Sequence, residues 1–117
     1  MTVLNNLAIL FIKISKYENA KKYLEQAFQI AKEENDLSKY AIYAINLGSI
    51  NYDLKDYKST KIYLNNIKEI DQTQISERVL KNYQILLNKI LVHEGEVKKA
   101  IENLKKLLET CSDKSYN

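Results

Sequence analysis

The chain has 117 residues, enough for one domain with a buried core, and 45% hydrophobic against 28% charged residues excludes a disordered chain. Its net charge of +3 rests on 17 lysines and one arginine, Arg78, spread along the sequence. Nucleic-acid surfaces concentrate such groups and favour the guanidinium, so no direct nucleic-acid binding is expected. With no proline, two glycines and one cysteine, Cys111, there are few helix breakers and no internal disulfide, which points to an all-α chain in a reducing, cytoplasmic setting.

Val3, Leu7, Leu10 and Ile14 recur at steps of four, three and four, which keeps them on one side of a first helix. The apolar run Leu7–Ile12 is too short to span a bilayer and reads as a buried helix, so no membrane partner is expected. Ser15–Lys16–Tyr17 interrupts the pattern. A second helix is predicted from about Glu18 to Glu34, with Ala20, Leu24, Ala27 and Phe28 on its apolar side. After the break at Asn35–Asp36, Asp36 or Ser38 would cap a third helix reaching about Lys55. A fourth follows from Tyr57 to Ile70. Asp71 with Gln74 resembles a capping box and opens a third pair, Gln74–Glu94 and Val97–Glu109, turning at Gly95–Glu96. Ser112–Asn117 is a polar tail expected to fray, and no segment reads as a strand.

Shifted by forty residues, the sequence matches itself. The first-helix seam aligns as Val3/Tyr43/Tyr83, Leu7/Leu47/Leu87 and Leu10/Ile50/Ile90. The second-helix seam aligns as Tyr17/Tyr57/Val97, Ala20/Thr60/Ala100, Leu24/Leu64/Leu104 and Ala27/Ile67/Leu107. Small residues at Ala8, Gly48, Ala20 and Ala100 mark places where helices must approach closely. The chain is thus expected to be one domain over 1–111, in repeats of about 1–36, 37–72 and 73–111, followed by the tail 112–117.

These residues resemble the tetratricopeptide repeat (TPR) family. Leu4, Leu7, Ala8, Phe11, Tyr17, Ala20, Leu24 and Ala27 follow its pattern closely in the first copy. Ala44, Leu47, Gly48, Tyr57 and Leu64 do so in the second, where Asn51, Thr60 and Ile67 depart from it. Leu87, Leu91, Val97, Ala100 and Leu104 fit in the third, where Gln84 and Asn88 do not. The resemblance implies an all-α, right-handed superhelical α-solenoid of three helix hairpins, six antiparallel helices in all. The usual period is about 34 residues. The extra residues here, Asn35–Tyr40 and Ile75–Leu80, look helical and are expected to lengthen helices. Long-helix repeats of this kind are similar to the ligand-reading domains of Gram-positive peptide-pheromone receptors, the Rap, PlcR and arbitrium-receptor group.

In a TPR array the first helices line a concave groove. The resemblance therefore places Thr2, Asn5, Asn6, Ile9, Ile12 and Lys13 there from the first copy. Ile42, Ile45, Asn46, Ser49, Tyr52 and Asp53 come from the second, and Asn82, Ile85, Leu86, Lys89, Val92 and His93 from the third. An apolar floor dotted with amides and a few charges suits a peptide or protein partner, presented as an extended segment or as an amphipathic helix. Asn6 and Asn46 share a repeat position and could hold a peptide backbone, or could simply be common TPR residues. Lys13, Asp53 and His93 share another, either as a pH-sensitive ridge or as an ordinary exposed charge row. The carboxylate clamp of chaperone-binding TPRs would fall on Asn5, Ile9, Asn46, Asn82 and Leu86; only Asn46 matches, and without the cations carboxylate capture loses its basis.

No nucleophile–base pair, metal set or phosphate loop is present in the sequence, so neither catalysis nor a cofactor is expected. The expected function is a peptide- or protein-binding module, the sensor part of a bacterial regulator. The alternative is a structural or oligomerisation module whose open end, starting directly on Leu4, Leu7 and Phe11 without a capping helix, packs on another copy, as a homo-oligomer, or on further repeats.

Overall fold

Ser15, Lys55 and Gly95 stand forty residues apart and all take positive φ, at 60°, 66° and 87°. At each, the left-handed residue lets the next N–H reach back to an orphan carbonyl of the helix just ended. Lys16 N donates to Phe11 O, Asp56 N to Asn51 O and Glu96 N to Leu91 O, each at 2.8 Å. This shared turn sets the period. In the computed structural model, which describes residues 2–115, the turns separate the helices of three hairpins: α1 (Thr2–Lys13) with α2 (Tyr17–Glu33), α3 (Leu37–Asp53) with α4 (Tyr57–Lys68), and α5 (Glu77–His93) with α6 (Val97–Ser115). α6 thus runs into the expected polar tail, and no strand occurs among the described residues.

Between hairpins the extra residues are spent in two ways. Asn35 takes φ 55°, and Asp36 caps α3 by accepting from Lys39 N at 3.1 Å. The first insert does lengthen helices, giving α2 and α3 17 residues each. The second does so on one side only: Glu77–Leu80 bring α5 to 17 residues, while α4 stops after 12 at Lys68. Asp71 makes no capping box with Gln74; its carboxylate accepts from Thr73 N at 3.0 Å and from the Thr73 hydroxyl at 2.8 Å. It caps only a 3₁₀ turn, Gln72–Gln74. Ile75 is extended and buried. Ser76 then caps α5 by accepting from Val79 N at 3.2 Å, so α5 starts three residues later than expected. Ser38, the other cap candidate for α3, instead donates its hydroxyl to Gln74 O at 3.2 Å.

The core has two parts. Ala8, Ala20, Leu24, Ala27, Ala31, Tyr43, Leu47 and Ile50 fill the space among α1, α2 and α3. Ala44, Ile45, Leu64, Ile67, Ile75, Val79, Tyr83, Leu86 and Ile90 fill that among α3, α4 and α5. Phe28 joins them, stacking on Tyr40 at 4.6 Å and meeting Tyr63 edge-on at 5.5 Å between ring centroids.

The aligned seam is therefore buried in the middle of the array and open at both ends. Val3 is 70% exposed, Leu10 59% and Leu104 41%, because no helix among the described residues covers those faces. The expected open-end residues Leu4, Leu7 and Phe11 are half-buried instead, and Phe11 stacks on Tyr23 of α2 at 5.6 Å.

Three of the residues that depart from the repeat pattern, Asn51, Thr60 and Asn88, prove to be buried polar groups. Asn51 Nδ2 donates to Leu47 O at 2.9 Å, and the Thr60 hydroxyl donates to Gly48 O at 3.0 Å, tying α4 to α3. Asn88 Nδ2 donates to Gln84 O at 2.7 Å, and Asn88 Oδ1 accepts from Asn103 of α6 at 3.1 Å. Most of the cost of burying them is offset by these bonds, although Asn51 Oδ1 has no partner.

Candidate functional site

α3 packs mainly on α2 rather than on α1, whereas α3 and α5 pack directly on one another. The difference shapes the concave side. Between α1 and α3 a gap remains whose floor is Ala8 and, showing through from the second helix layer, Leu24. It forms a cavity of about 450 Å³ walled by Asn5, Ile9 and Ile12 of α1, Ile42, Ile45 and Asn46 of α3, and Arg78, Val79 and Asn82 of α5, with Ser76 at the rim. Ile45, Asn46 and Asn82 also line a second hollow, about 220 Å³, together with Ser49, Ile85, Leu86 and Lys89. Ile85 and Lys89 continue into a third, about 280 Å³, with Tyr52, Asn88, Val92 and Leu104. Shared walls make one groove running across three helices.

Beneath that groove, Gly48 lies where α3 approaches α5 closely. A methyl group on its Cα would lie 2.9 Å from Leu86 Cδ2 and 3.7 Å from Tyr63 Cβ. The small residue is needed against α5 of the next hairpin more than against its own partner α4.

The polar groups in the groove are mostly unspent. Asn5 Oδ1 is buried without a hydrogen-bond partner. Among the described residues, none of the side-chain hydrogen bonds involves Asn46 or Asn82. Lys89 Nζ sits 5.7 Å from the centre of the Tyr52 ring, a cation–π distance. Asn88 is already satisfied, through Gln84 and Asn103, and the Ser76 hydroxyl accepts from Val79 N.

Of the residues the sequence nominates, Asn5, Ile9, Ile42, Ile45, Asn46, Ser49, Tyr52 and Lys89 are brought together here. Asn6 is exposed and does not line the groove, so its pairing with Asn46 gives way to Asn5, Asn46 and Asn82. Asp53 and His93 also lie outside it. The His93 ring stacks on Tyr57 at 3.7 Å, and Tyr57 meets Tyr52 edge-on at 5.4 Å, so His93 braces the groove wall from behind. Lys13, Asp53 and His93 make no ion pair among the described residues. The side chains of Thr2 and Cys111 lie outside the described residues.

Arg78 was not among the nominated residues. A signal was available: Arg78, Asn82, Ile85 and Lys89 repeat at four, three and four, which puts them on one face of a helix begun one turn before Asn82. Among the described residues no group of three or more His, Cys, Asp or Glu could hold a metal ion. No helix among them is long and apolar enough to cross a membrane.

Three helical hairpins whose first helices share one groove define an α-solenoid of helix-hairpin repeats. Residues 1–70, the first two hairpins, match the tetratricopeptide repeat, and the chain belongs to that family, whose repeats mediate protein–protein interaction. Comparison with curated proteins gave no match.

Proposed function

We propose that the chain is a non-catalytic module that takes an extended peptide segment into the groove across α1, α3 and α5. One observation carries this: the unpartnered amides of Asn5, Asn46 and Asn82 stand together over a floor of Ile9, Ile42, Ile45 and Ile85. An extended segment brings backbone N–H and C=O groups that need partners, and an Asn amide supplies both a donor and an acceptor. A helical ligand has already spent those groups on itself. The apolar floor would accept alternate side chains of the segment. In this role the chain serves as the sensor or interaction part of a cytoplasmic bacterial regulator. Calorimetric titration with short apolar peptides tests it: saturable binding is expected, and Asn46→Ala should weaken it about fivefold, the worth of roughly 1 kcal/mol of hydrogen bonding. Unchanged affinity in that variant refutes the site.

A second reading rests on the ends. Leu10 on α1 and Leu104 on α6 are 59% and 41% exposed, whereas Ile50 and Ile90, and Leu24 and Leu64, at the equivalent repeat positions are buried. Contiguous apolar faces of this kind mark interaction sites, here for a second copy or for further repeats. Light scattering at high concentration decides between them: a clean monomer rules out self-association.

A further inference from the structure

Charge in the groove is one-sided. The chain carries 15 acidic residues, yet none of them lines any of the three hollows. Two cations do: Arg78 in the first hollow and Lys89 where the second and third meet. Neither is neutralised. Among the described residues no ion pair or hydrogen bond engages Arg78, the one arginine of the chain, and Lys89 has only the Tyr52 ring. Elsewhere lysines do find carboxylates: Lys39 with Asp36, Lys61 with Glu94 and Lys99 with Glu96. A groove that sheds every acid and keeps two unpaired cations is complementary to an anionic occupant.

The spacing adds a length. Arg78 and Lys89 lie on the same helix, eleven positions apart, or about 16 Å at 1.5 Å per residue. Extended chain covers that distance in about five residues at 3.3 Å each. The wall between the two cations is Asn82, Ile85, Ile45 and Asn46, apolar groups and amides rather than further charges. Nucleic acid fits this poorly, since it needs a basic track and a series of stacking rings, and Tyr52 is the one aromatic residue in the lining.

Resting on the peptide-binding reading above, we infer that the groove selects an extended segment with two acidic side chains about five residues apart and an apolar stretch between them. One carboxylate meets the Arg78 guanidinium, which presents paired donors in a fork. The other meets Lys89, and the intervening backbone bonds to Asn5, Asn46 and Asn82.

Pools of six-residue peptides, acetylated and amidated, provide the test. The four central positions are randomised among Ala, Val, Ile and Leu, and both ends are Glu, Gln or Lys. Binding is followed through the Asn side-chain amide signals in ¹⁵N NMR. The Glu pool should bind about tenfold more tightly than the Gln pool, and the Lys pool least. Arg78→Gln and Lys89→Gln should each lower affinity for the Glu pool more than for the Gln pool, and raising salt should narrow the gap. Arg78→Glu should reverse the order of the Glu and Lys pools. Equal binding of Glu and Gln pools in the groove overturns the charge selection and leaves the peptide-binding reading standing; no binding by any pool overturns both. Preference for a Gln peptide with a free C-terminus would assign the anion to the terminal carboxylate and refute the side-chain assignment. Preference for an eight-residue oligothymidylate would refute a peptide altogether.

Discussion

Gly48 offers a direct check on the packing that shapes the groove, because two opposing effects of an added methyl group can be separated. It lies inside α3, where replacing glycine by alanine gains about 1 kcal/mol from reduced backbone freedom in the unfolded chain. The new Cβ would stand 2.9 Å from Leu86 Cδ2, so that methyl must retreat by about half an ångström to reach ordinary contact. Leu86 is only 3% exposed and has little room to yield. An off-rotamer shift or local overpacking costs about 1–2 kcal/mol. Gly48→Ala alone should therefore be neutral or destabilising by about 1 kcal/mol, the clash outweighing the propensity gain. With Leu86→Ala already in place, the obstructing atom is gone and the remaining neighbour, Tyr63 Cβ at 3.7 Å, is in normal contact. The same substitution should then stabilise by about 1 kcal/mol. Leu86→Ala itself costs about 2–5 kcal/mol, so the cycle is run from its own baseline. Urea unfolding followed by circular dichroism reads all four proteins, provided the slope stays constant. A coupling of about 1–2 kcal/mol is expected. Effects that add within about 0.5 kcal/mol would show that Gly48 does not set the α3–α5 approach.

Other consequences can be checked alongside. Lys55 holds φ at 66°, so Lys55→Gly should stabilise by about 0.5–1 kcal/mol by relieving the left-handed strain; a loss of stability in urea would contradict the turn geometry. Ser76→Ala should cost about 1 kcal/mol through the lost α5 cap, while Asp71→Ala should change the melting temperature little; the reverse order would restore Asp71 as the helix cap. Burial raises the pKa of Tyr40, Tyr43, Tyr63 and Tyr83. Four of the nine tyrosines should thus ionise late in an ultraviolet titration of the folded protein, and the stability they confer should be intact below about pH 10 and lost above it. The carboxylate of Asp56 is held low by the Ser59 hydroxyl and then the Ser59 N–H, and that of Asp71 by the Thr73 N–H and hydroxyl. Their contribution is present above about pH 4 and should fade as the pH drops below it.

The forty-residue period was legible because it has a local cause: Ser15, Lys55 and Gly95 close the same turn, and the apolar steps around them follow helix geometry. The partition of the extra residues was not. Asp71 and Ser76 are both good capping residues; Asp71 opens only the 3₁₀ turn, and the extended, buried Ile75 that follows moves the start of α5 to Ser76. Much of the groove was also readable, since Ile42, Ile45, Asn46 and Ser49 lie on one helix face. Choosing Asn5 over Asn6 was out of reach. Adjacent positions differ by about 100° around the helix axis, and which one faces the groove depends on how α1 leans away from α3, a tertiary quantity. Asn51, Thr60 and Asn88 looked like weak matches to the repeat pattern, yet each is a buried residue held by hydrogen bonds.

The central claim is that an extended peptide lies across α1, α3 and α5 on the amides of Asn5, Asn46 and Asn82. ¹⁵N NMR titration with the apolar-centred peptide pool tests it most directly. The account predicts that the three side-chain amide signals shift together and saturate with one affinity, while those of Asn19 on α2 and Asn65 on α4 stay in place. Shifts confined to Asn19 and Asn65, or a binding curve that leaves Asn46 and Asn82 untouched, would contradict it.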